Sequence, residues 1–185
     1  KIIIGIGGSA TNDGGAGMLQ AMGCDFFNQE GFVITEHMNG KLIGVVSRVD
    51  TWRVEQLMSG VELVIACDVN NPLLGESGAT HTYAKQKGAN DQDVKALEKN
   101  MNHFVKVIKE QLFKDVAHEK GTGAAGGVGF GARAFLDAKL VPGINVVSEL
   151  AHLEEKIEEA DIVITGEGHL DEQSDHGKAP LMGRD

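Results

Sequence analysis

The chain has few cysteines, and neither lies in a pattern typical of a redox or metal site. Cys24 and Cys67 are the two cysteines, and they form no CxxC spacing. Both flank apolar runs, which predicts buried free thiols and favours a reducing compartment such as the cytoplasm. The seven histidines include no ligand spacing such as HExxH, so a zinc site is not expected.

The sequence also lacks a long apolar run and an excess of basic charge. No run approaches the ~18 apolar residues of a membrane-spanning helix, and we expect no signal peptide. Lysine and arginine total 17 against 27 acidic residues, which gives a formal net charge of −10. Because nucleic-acid binding requires a basic face, we expect neither a nucleic-acid nor a membrane partner.

Glycine, in contrast, is abundant and clustered. It supplies 25 of the 185 residues, nearly twice the usual share of about 7%. The first cluster follows an apolar run, Ile2 to Ile6, that predicts a buried strand. The loop after this run contains Gly7, Gly8, Ser9, Thr11, Asn12 and Asp13. Such a loop lets backbone N–H groups approach an anion, although a tight strand-to-helix turn with positive φ angles would also need glycine.

The remaining patterns predict an α/β fold. Apolar runs at Val61 to Cys67 and at Asp161 to Thr165 predict two further buried strands, and helical spacing predicts a helix from Asp91 to about Lys114, capped by Asn90. Strands that are apolar on both faces and separated by helices are typical of a mainly parallel sheet with helices on both faces. Residues 24–50 predict a smaller β-containing segment.

Each of the three predicted strands ends in a polar loop that contains glycine: Ile6 to Asp13, Asp68 to Gly78, and Gly166 to Lys178. Ligands of open α/β sheets bind outside the carboxyl ends of the strands. We therefore expect one crevice that contains Ser9, Thr11, Asn12, Asp13, Asp68, Asn70, Glu167 and Asp171. Carboxylates for Mg²⁺, amides and a lysine for phosphates, and a base are the requirements of phosphoryl transfer. Lys87 and Lys178 are candidate phosphate contacts.

Two other interpretations stay open. The chain has no Walker A loop, but Gly5, Gly7 and Ala10 match GxGxxA after a strand, and Asp25 lies near the position of a ribose-binding acid. This predicts an NAD-binding oxidoreductase. A module that binds an anion or nucleotide without catalysis is the other alternative.

Six segments, taken together, resemble the bacterial-type glycerate kinase family. They are GIGGSATNDGGAGMLQAMG, ACDVNNPLLGESGAT, QKGA, GTGAAGGVGFG, LVPGINVV and ITGEGHLDEQSDHGK, in family order across nearly the whole chain. The resemblance implies an ATP- and Mg²⁺-dependent kinase that converts D-glycerate to a phosphoglycerate, typically the 2-phospho isomer. It also implies a fold of two different α/β domains with the site between them.

Under this resemblance, Asp68 and Asp171 are expected to act in catalysis or to bind Mg²⁺. The residues expected to contact substrate or phosphate are Gly7, Gly8, Ser9, Thr11, Asn12, Asp13, Asn70, Lys87, Gly166, Glu167, Gly168 and Lys178. The chain departs from the family pattern at Ala84-Lys85, where a Gly-Pro pair is usual, and at His169, where a basic residue is common. Both ends resemble cuts, so we expect residues 1–185 to be a central fragment truncated at both ends, with parts of two α/β domains. Such a fragment is expected either to self-associate or to be marginally stable, and to have little activity alone.

Overall fold

The computed structural model describes residues 1–164 and residue 166. The chain divides into two compact units, Lys1–Leu140 and Val141–Asp185. The strands are β1 (Ile2–Gly5), β2 (Asp25–Phe27), β3 (Arg48–Asp50), β4 (Leu63–Ala66) and β5 (Lys139–Val141). The helices are α1 (Ala16–Ala21), α2 (Trp52–Met58), α3 (Ala79–Tyr83), α4 (Asp91–Leu112), α5 (Ala124–Leu136), α6 (Gly143–Ala151) and α7 (Leu153–Glu158). Short 3₁₀ helices span Leu42–Val45 and Lys85–Lys87.

The principal sheet has the strand order β1-β4-β5, and β1 runs parallel to β4. Its register pairs Ile2 with Leu63 and Gly5 with Ala66, so both strands end at the same edge of the sheet. The antiparallel pair of β2 and β3 forms the smaller β segment that was predicted within residues 24–50. The α/β class with a parallel sheet is therefore confirmed.

The burial of β1 was predicted incorrectly. The side chains of Ile2, Ile3 and Ile4 are 44%, 37% and 39% exposed, respectively, whereas Leu63, Val64 and Ile65 of β4 are buried. β1 lies at one end of the described strand order, while β4 lies between two strands. An apolar run reports the tendency to form a strand, but its burial depends on which elements cover the strand.

The strand predicted at Asp161 to Thr165 does not form in its described part. Residues 161–164 have no strand assignment, and the side chains of Ile162 and Ile164 are 80% and 92% exposed, respectively. Thr165 lies outside the described residues. A β-branched run becomes a strand only when a neighbouring strand accepts its hydrogen bonds, and this condition cannot be read from the run itself.

The helix α4 organises the core of the first unit. Its buried face includes Met101, Phe104 and Ile108, and the Phe104 ring lies 6.0 Å from that of Phe26 and 6.3 Å from that of Phe130. The predicted start and the apolar face of this helix are confirmed. Within the described part of the chain, no helix combines the length and the apolar character needed to cross a membrane.

The predicted cap of α4 is also present. The Asn90 side chain accepts hydrogen bonds from the backbone N–H groups of Gln92 and Asp93, and the Asp93 carboxylate accepts from the N–H of Asn90. This reciprocal capping box satisfies N–H groups that the helix itself leaves unpaired.

We expect Asn90→Ala to lower the free energy of unfolding by about 1 kcal/mol, because the first turn of α4 loses its side-chain acceptor. Urea denaturation monitored by circular dichroism would measure the change. Asn90→Ser is the control, since serine retains an acceptor, and it should cost only a small part of this amount. Equal losses in both variants would show that the cap contributes little.

Candidate active site

The loop after β1 is open where it leaves the strand. Gly7 and Gly8 are exposed, and nothing lies within 4 Å of a Cβ placed on either residue. Gly8 has a φ of 61°, in the left-handed region that disfavours other residues. This part of the loop therefore presents accessible backbone at the carboxyl end of β1.

Lys87 anchors the same loop from a distant part of the sequence. Its Nζ donates hydrogen bonds to the Ser9 hydroxyl at 3.0 Å and to the Thr11 carbonyl oxygen at 2.6 Å. Lys87 ends the 3₁₀ helix Lys85–Lys87, which follows α3 almost directly. Burial lowers the pKa of Lys87, and the negative charge of Asp13 partly opposes this shift. A half-buried ammonium group thus lies against the small-residue loop.

A cavity of about 150 Å³ lies beside this lysine. Its lining residues are Ile6, Gly7, Gly8, Ser9, Val69, Tyr83, Gln86, Lys87 and Ala125. The structure therefore brings together four of the predicted contact residues, from two segments that are far apart in sequence. A larger cavity of about 530 Å³ lies within the second unit and is lined by described residues of α6 and α7, none of them a predicted site residue.

Tyr83 and Asn71 were not predicted as site residues. The Tyr83 hydroxyl donates to Asn71 Oδ1 at 2.7 Å, and Asn71 Nδ2 donates to the Ser77 carbonyl oxygen at 2.7 Å. Burial raises the pKa of Tyr83. Tyr83 precedes Lys87 by about one helical turn, so a search for polar residues around the QKGA segment would have found it.

The segment around Gly126 packs against the loop that follows β1. Ala125, Gly126 and Gly127 have φ angles of 54°, 68° and 96°, respectively, which kink the start of α5. A Cβ on Gly126 would overlap the carbonyl oxygen of Thr11. The Gly14 N–H donates to the Gly126 carbonyl oxygen at 3.1 Å. Glycine at 126 allows the backbone at the start of α5 to pack directly against the backbone at Thr11. This contact helps to position the loop after β1 that contains Ser9, here called the Ser9 loop.

Asp13 and Asn12 have structural contacts rather than a place in the cavity lining. The Asp13 carboxylate accepts hydrogen bonds from the N–H groups of Gly15 and Gly17, each at 3.0 Å, and only 5% of the residue is exposed. It therefore stabilises the start of α1. Asn12 Nδ2 donates to the Thr80 hydroxyl at 3.3 Å. Thr11 contacts Lys87 through its backbone only.

The remaining predicted residues divide between two places. Asp68 and Asn70 are exposed in the segment after β4, on either side of Val69, which lines the cavity. Gly166 is exposed. The residues Glu167, Gly168, Asp171 and Lys178 lie outside the described residues, so the single crevice that was expected to contain Asp68 and Asp171 stays a prediction.

The described residues contain no group of three or more His, Cys, Asp or Glu side chains that could hold a metal ion. Mg²⁺ is usually held by one or two carboxylates together with substrate phosphates and water. An exposed Asp68 carboxylate at the end of β4 is compatible with that pattern as a single protein ligand.

Comparison with known proteins identifies the family. The family model described as the glycerate kinase family matches residues 1–182. The chain belongs to the glycerate kinase family. A glycerate kinase of Halalkalibacterium halodurans is 46% identical over 181 residues, which are 98% of this chain and 47% of the relative. The glycerate 2-kinase of Escherichia coli is 44% identical over 181 residues, again 98% of this chain and 47% of the relative.

A solved structure shows the same fold. The crystal structure described as glycerate kinase 2 from Salmonella typhimurium LT2 matches with a TM-score of 0.86 and 42% identity. The match covers 97% of this chain and 48% of that one. The chain thus spans about half the length of the glycerate kinases that it matches.

Membership of this family favours a kinase over the NAD-binding alternative, and the local geometry agrees. After Gly5, Gly7 and Ala10, a dinucleotide-binding helix would begin at once, but α1 begins only at Ala16. Asp25 begins β2, which pairs with β3 in a different sheet from β1. The GxGxxA match therefore lacks its structural context.

Proposed function

We propose that this chain forms part of a glycerate kinase that transfers the γ-phosphoryl group of ATP to a hydroxyl of D-glycerate. The observation that carries the proposal is the family match over residues 1–182. The proposed product is 2-phosphoglycerate. The name of the Escherichia coli relative, glycerate 2-kinase, supports this choice.

In the proposed reaction, a glycerate hydroxyl oxygen forms a bond to the γ-phosphorus while the bond to the leaving ADP oxygen breaks. The hydroxyl proton passes to a carboxylate base. We assign this role to Asp68 or Asp171. The cavity beside Lys87 would hold a ligand anion, using the ammonium group, the Ser9 hydroxyl and the accessible backbone at Gly7 and Gly8.

Mg²⁺ is the proposed metal, and Asp68 and Asp171 are its proposed protein ligands. When bound, Mg²⁺ would neutralise phosphate charge. We propose that five further residues contact the nucleotide phosphates or the substrate: Asn70, which follows the cavity-lining Val69, and Gly166, Glu167, Gly168 and Lys178. For Asn12, Thr11 and Asp13 we propose a supporting task, which agrees with their contacts in the described loop.

We further propose a cytoplasmic protein that has no nucleic-acid or membrane partner and belongs to a longer polypeptide with two α/β domains. The exposed isoleucines of β1 support the proposal that the isolated chain associates with itself or with the rest of such a polypeptide.

A chimera tests the proposed activity. In it, this chain replaces the matching region of the Escherichia coli glycerate 2-kinase, which is 44% identical over 181 residues. We expect ADP formation that depends on both D-glycerate and MgATP, measured in a coupled assay, and a product with the ³¹P spectrum of 2-phosphoglycerate. Circular dichroism and a single cooperative melting transition would establish that the chimera is folded.

A folded chimera without glycerate-dependent ADP formation would contradict the proposed function. The oxidoreductase alternative has its own signature. If NAD raises the melting temperature of the 185-residue chain and ATP does not, that alternative gains support. If the folded chimera binds ATP or D-glycerate but forms no ADP, the non-catalytic binding module is favoured.

A further inference from the structure

We propose that the cavity beside Lys87 binds the carboxylate end of a small hydroxy acid rather than nucleotide phosphates. We also propose that Tyr83 recognises a hydroxyl of that acid. This inference rests on the proposed glycerate kinase function and adds to it the identity of the group that occupies this cavity. Four observations support it: the size of the described cavity, its charge, its hydrogen-bond donors and the hydrogen bond that the Tyr83 hydroxyl donates to Asn71.

The size of the cavity suits a small acid. Its volume is about 150 Å³, whereas pockets for drug-sized ligands are typically ~300–1,000 Å³. A nucleotide is a ligand of that larger class. A three-carbon acid needs far less room, so the cavity can contain such an acid whole, whereas a nucleotide would extend well beyond it.

The charge of the cavity also matches a monoanion. Lys87 is the only charged side chain among the described residues that line it. The negative charge of Asp13 acts on this lysine, as its effect on the Lys87 pKa shows. A triphosphate requires several positive charges or a metal ion. One ammonium group whose field is weakened by Asp13 suits a single carboxylate better than a triphosphate.

Two hydrogen-bond donors remain for such a carboxylate. The Lys87 ammonium has three N–H groups, and the bonds to Ser9 and Thr11 use two of them. The Ser9 hydroxyl accepts the bond from Lys87, which leaves its own hydrogen available for donation. One N–H and one O–H can therefore donate to the two oxygens of one carboxylate. Both hydrogen bonds are charge-assisted, because the acceptor carries a negative charge.

The proton of Tyr83 is oriented by Asn71. The Ser77 carbonyl oxygen can only accept a hydrogen bond, so the Asn71 amide must direct its NH₂ group to Ser77 and its oxygen to Tyr83. The Tyr83 hydroxyl consequently donates to Asn71. Tyr83 is a lining residue of the cavity. Because its hydroxyl oxygen keeps acceptor capacity after this donation, we infer that it accepts a hydrogen bond from a hydroxyl of the bound acid.

Isothermal titration of the 185-residue chain tests the inference with four probes: D-glycerate, propionate, inorganic phosphate and ATP. We expect propionate to compete with D-glycerate, and we expect phosphate and ATP not to compete. Lys87→Met should weaken D-glycerate binding by roughly 10- to 100-fold. Lys85→Met is the matched control, because Lys85 lies in the same 3₁₀ helix but pairs with Asp91 at 2.7 Å. It should bind D-glycerate like the unmodified chain.

Tyr83→Phe separates recognition of the ligand hydroxyl from support of the cavity, because the aromatic ring stays in the cavity lining and only the hydroxyl is lost. It should weaken D-glycerate binding by roughly 3- to 10-fold and leave propionate binding unchanged. Equal losses for both acids would mean that Tyr83 only supports the cavity, which overturns its recognition role. If Lys87→Met reduces the folded fraction seen by circular dichroism, Ser9→Ala replaces it, with an expected loss of roughly 3- to 10-fold for both acids.

The outcomes distinguish this inference from the proposed function. Phosphate that displaces D-glycerate, or Lys87→Met that weakens ATP binding and spares D-glycerate binding, would overturn the carboxylate assignment even in an active chimera. Failure of both the chain and the chimera to bind D-glycerate would also overturn it. Carboxylate binding of the expected pattern with an inactive folded chimera would instead leave the inference standing and contradict the kinase activity.

Discussion

Gly126→Ala is expected to destabilise the first unit severely. The alanine Cβ would overlap the Thr11 carbonyl oxygen, and Gly126 has a φ of 68°, so the side chain meets both a steric clash and an unfavourable backbone conformation. Backbone cannot move aside as a flexible side chain can, and we expect a loss of at least ~4 kcal/mol in the free energy of unfolding. Domains of this kind have only about 5–15 kcal/mol in total.

Gly60→Ala is the matched control for this prediction. Gly60 has a similar φ of 74°, but nothing lies within 4 Å of a Cβ placed on it. It therefore isolates the cost of the left-handed conformation, which is roughly 1–2 kcal/mol. Urea denaturation of both variants would measure the difference. If the two variants lose similar stability, the backbone contact between the two glycine clusters does not hold the loop.

Asp68→Asn is expected to lower kcat of the chimera by ~10²–10⁴-fold, the usual cost of removing a general base or a metal carboxylate. Asparagine is nearly isosteric with aspartate, and residue 68 is exposed, so we expect little change in the melting temperature. Initial rates of ADP formation at saturating D-glycerate and MgATP would give kcat directly.

Glu76→Gln is the control for charge. Glu76 is also an exposed carboxylate in the segment after β4, and it was assigned no part in the site. Its removal should leave kcat within about 2-fold of the unmodified chimera, as expected for a surface substitution. Near-normal turnover in Asp68→Asn would remove Asp68 from the mechanism and transfer the proposed role to Asp171.

Local sequence signals predicted the elements that depend on their own residues. The helix α4 was predicted from its apolar spacing and from Asn90, and the structure places its start and its cap at those positions. The run at Val61 to Cys67 predicted β4 in the same way. These elements could be read from the sequence because helical periodicity, capping and β-branched content are properties of a short segment.

The same signals did not predict what neighbouring elements decide. The runs at Ile2 to Ile6 and Asp161 to Thr165 both read as buried strands. The first forms an exposed β1, and the described part of the second forms no strand. Tyr83 lies near enough to QKGA to be considered on spacing, but its hydrogen bond to Asn71, twelve positions away in sequence, is visible only in the structure.

The sequence by itself determined the family, the α/β class and the residue types that the site needs, because motifs and periodicity are local and additive along the chain. Only the tertiary structure decided which of those residues meet. Ser9 and Lys87 are separated by 78 positions and lie 3.0 Å apart between Oγ and Nζ. That contact depends on how α3, the Ser9 loop and the glycines of α5 pack together, which no single segment encodes.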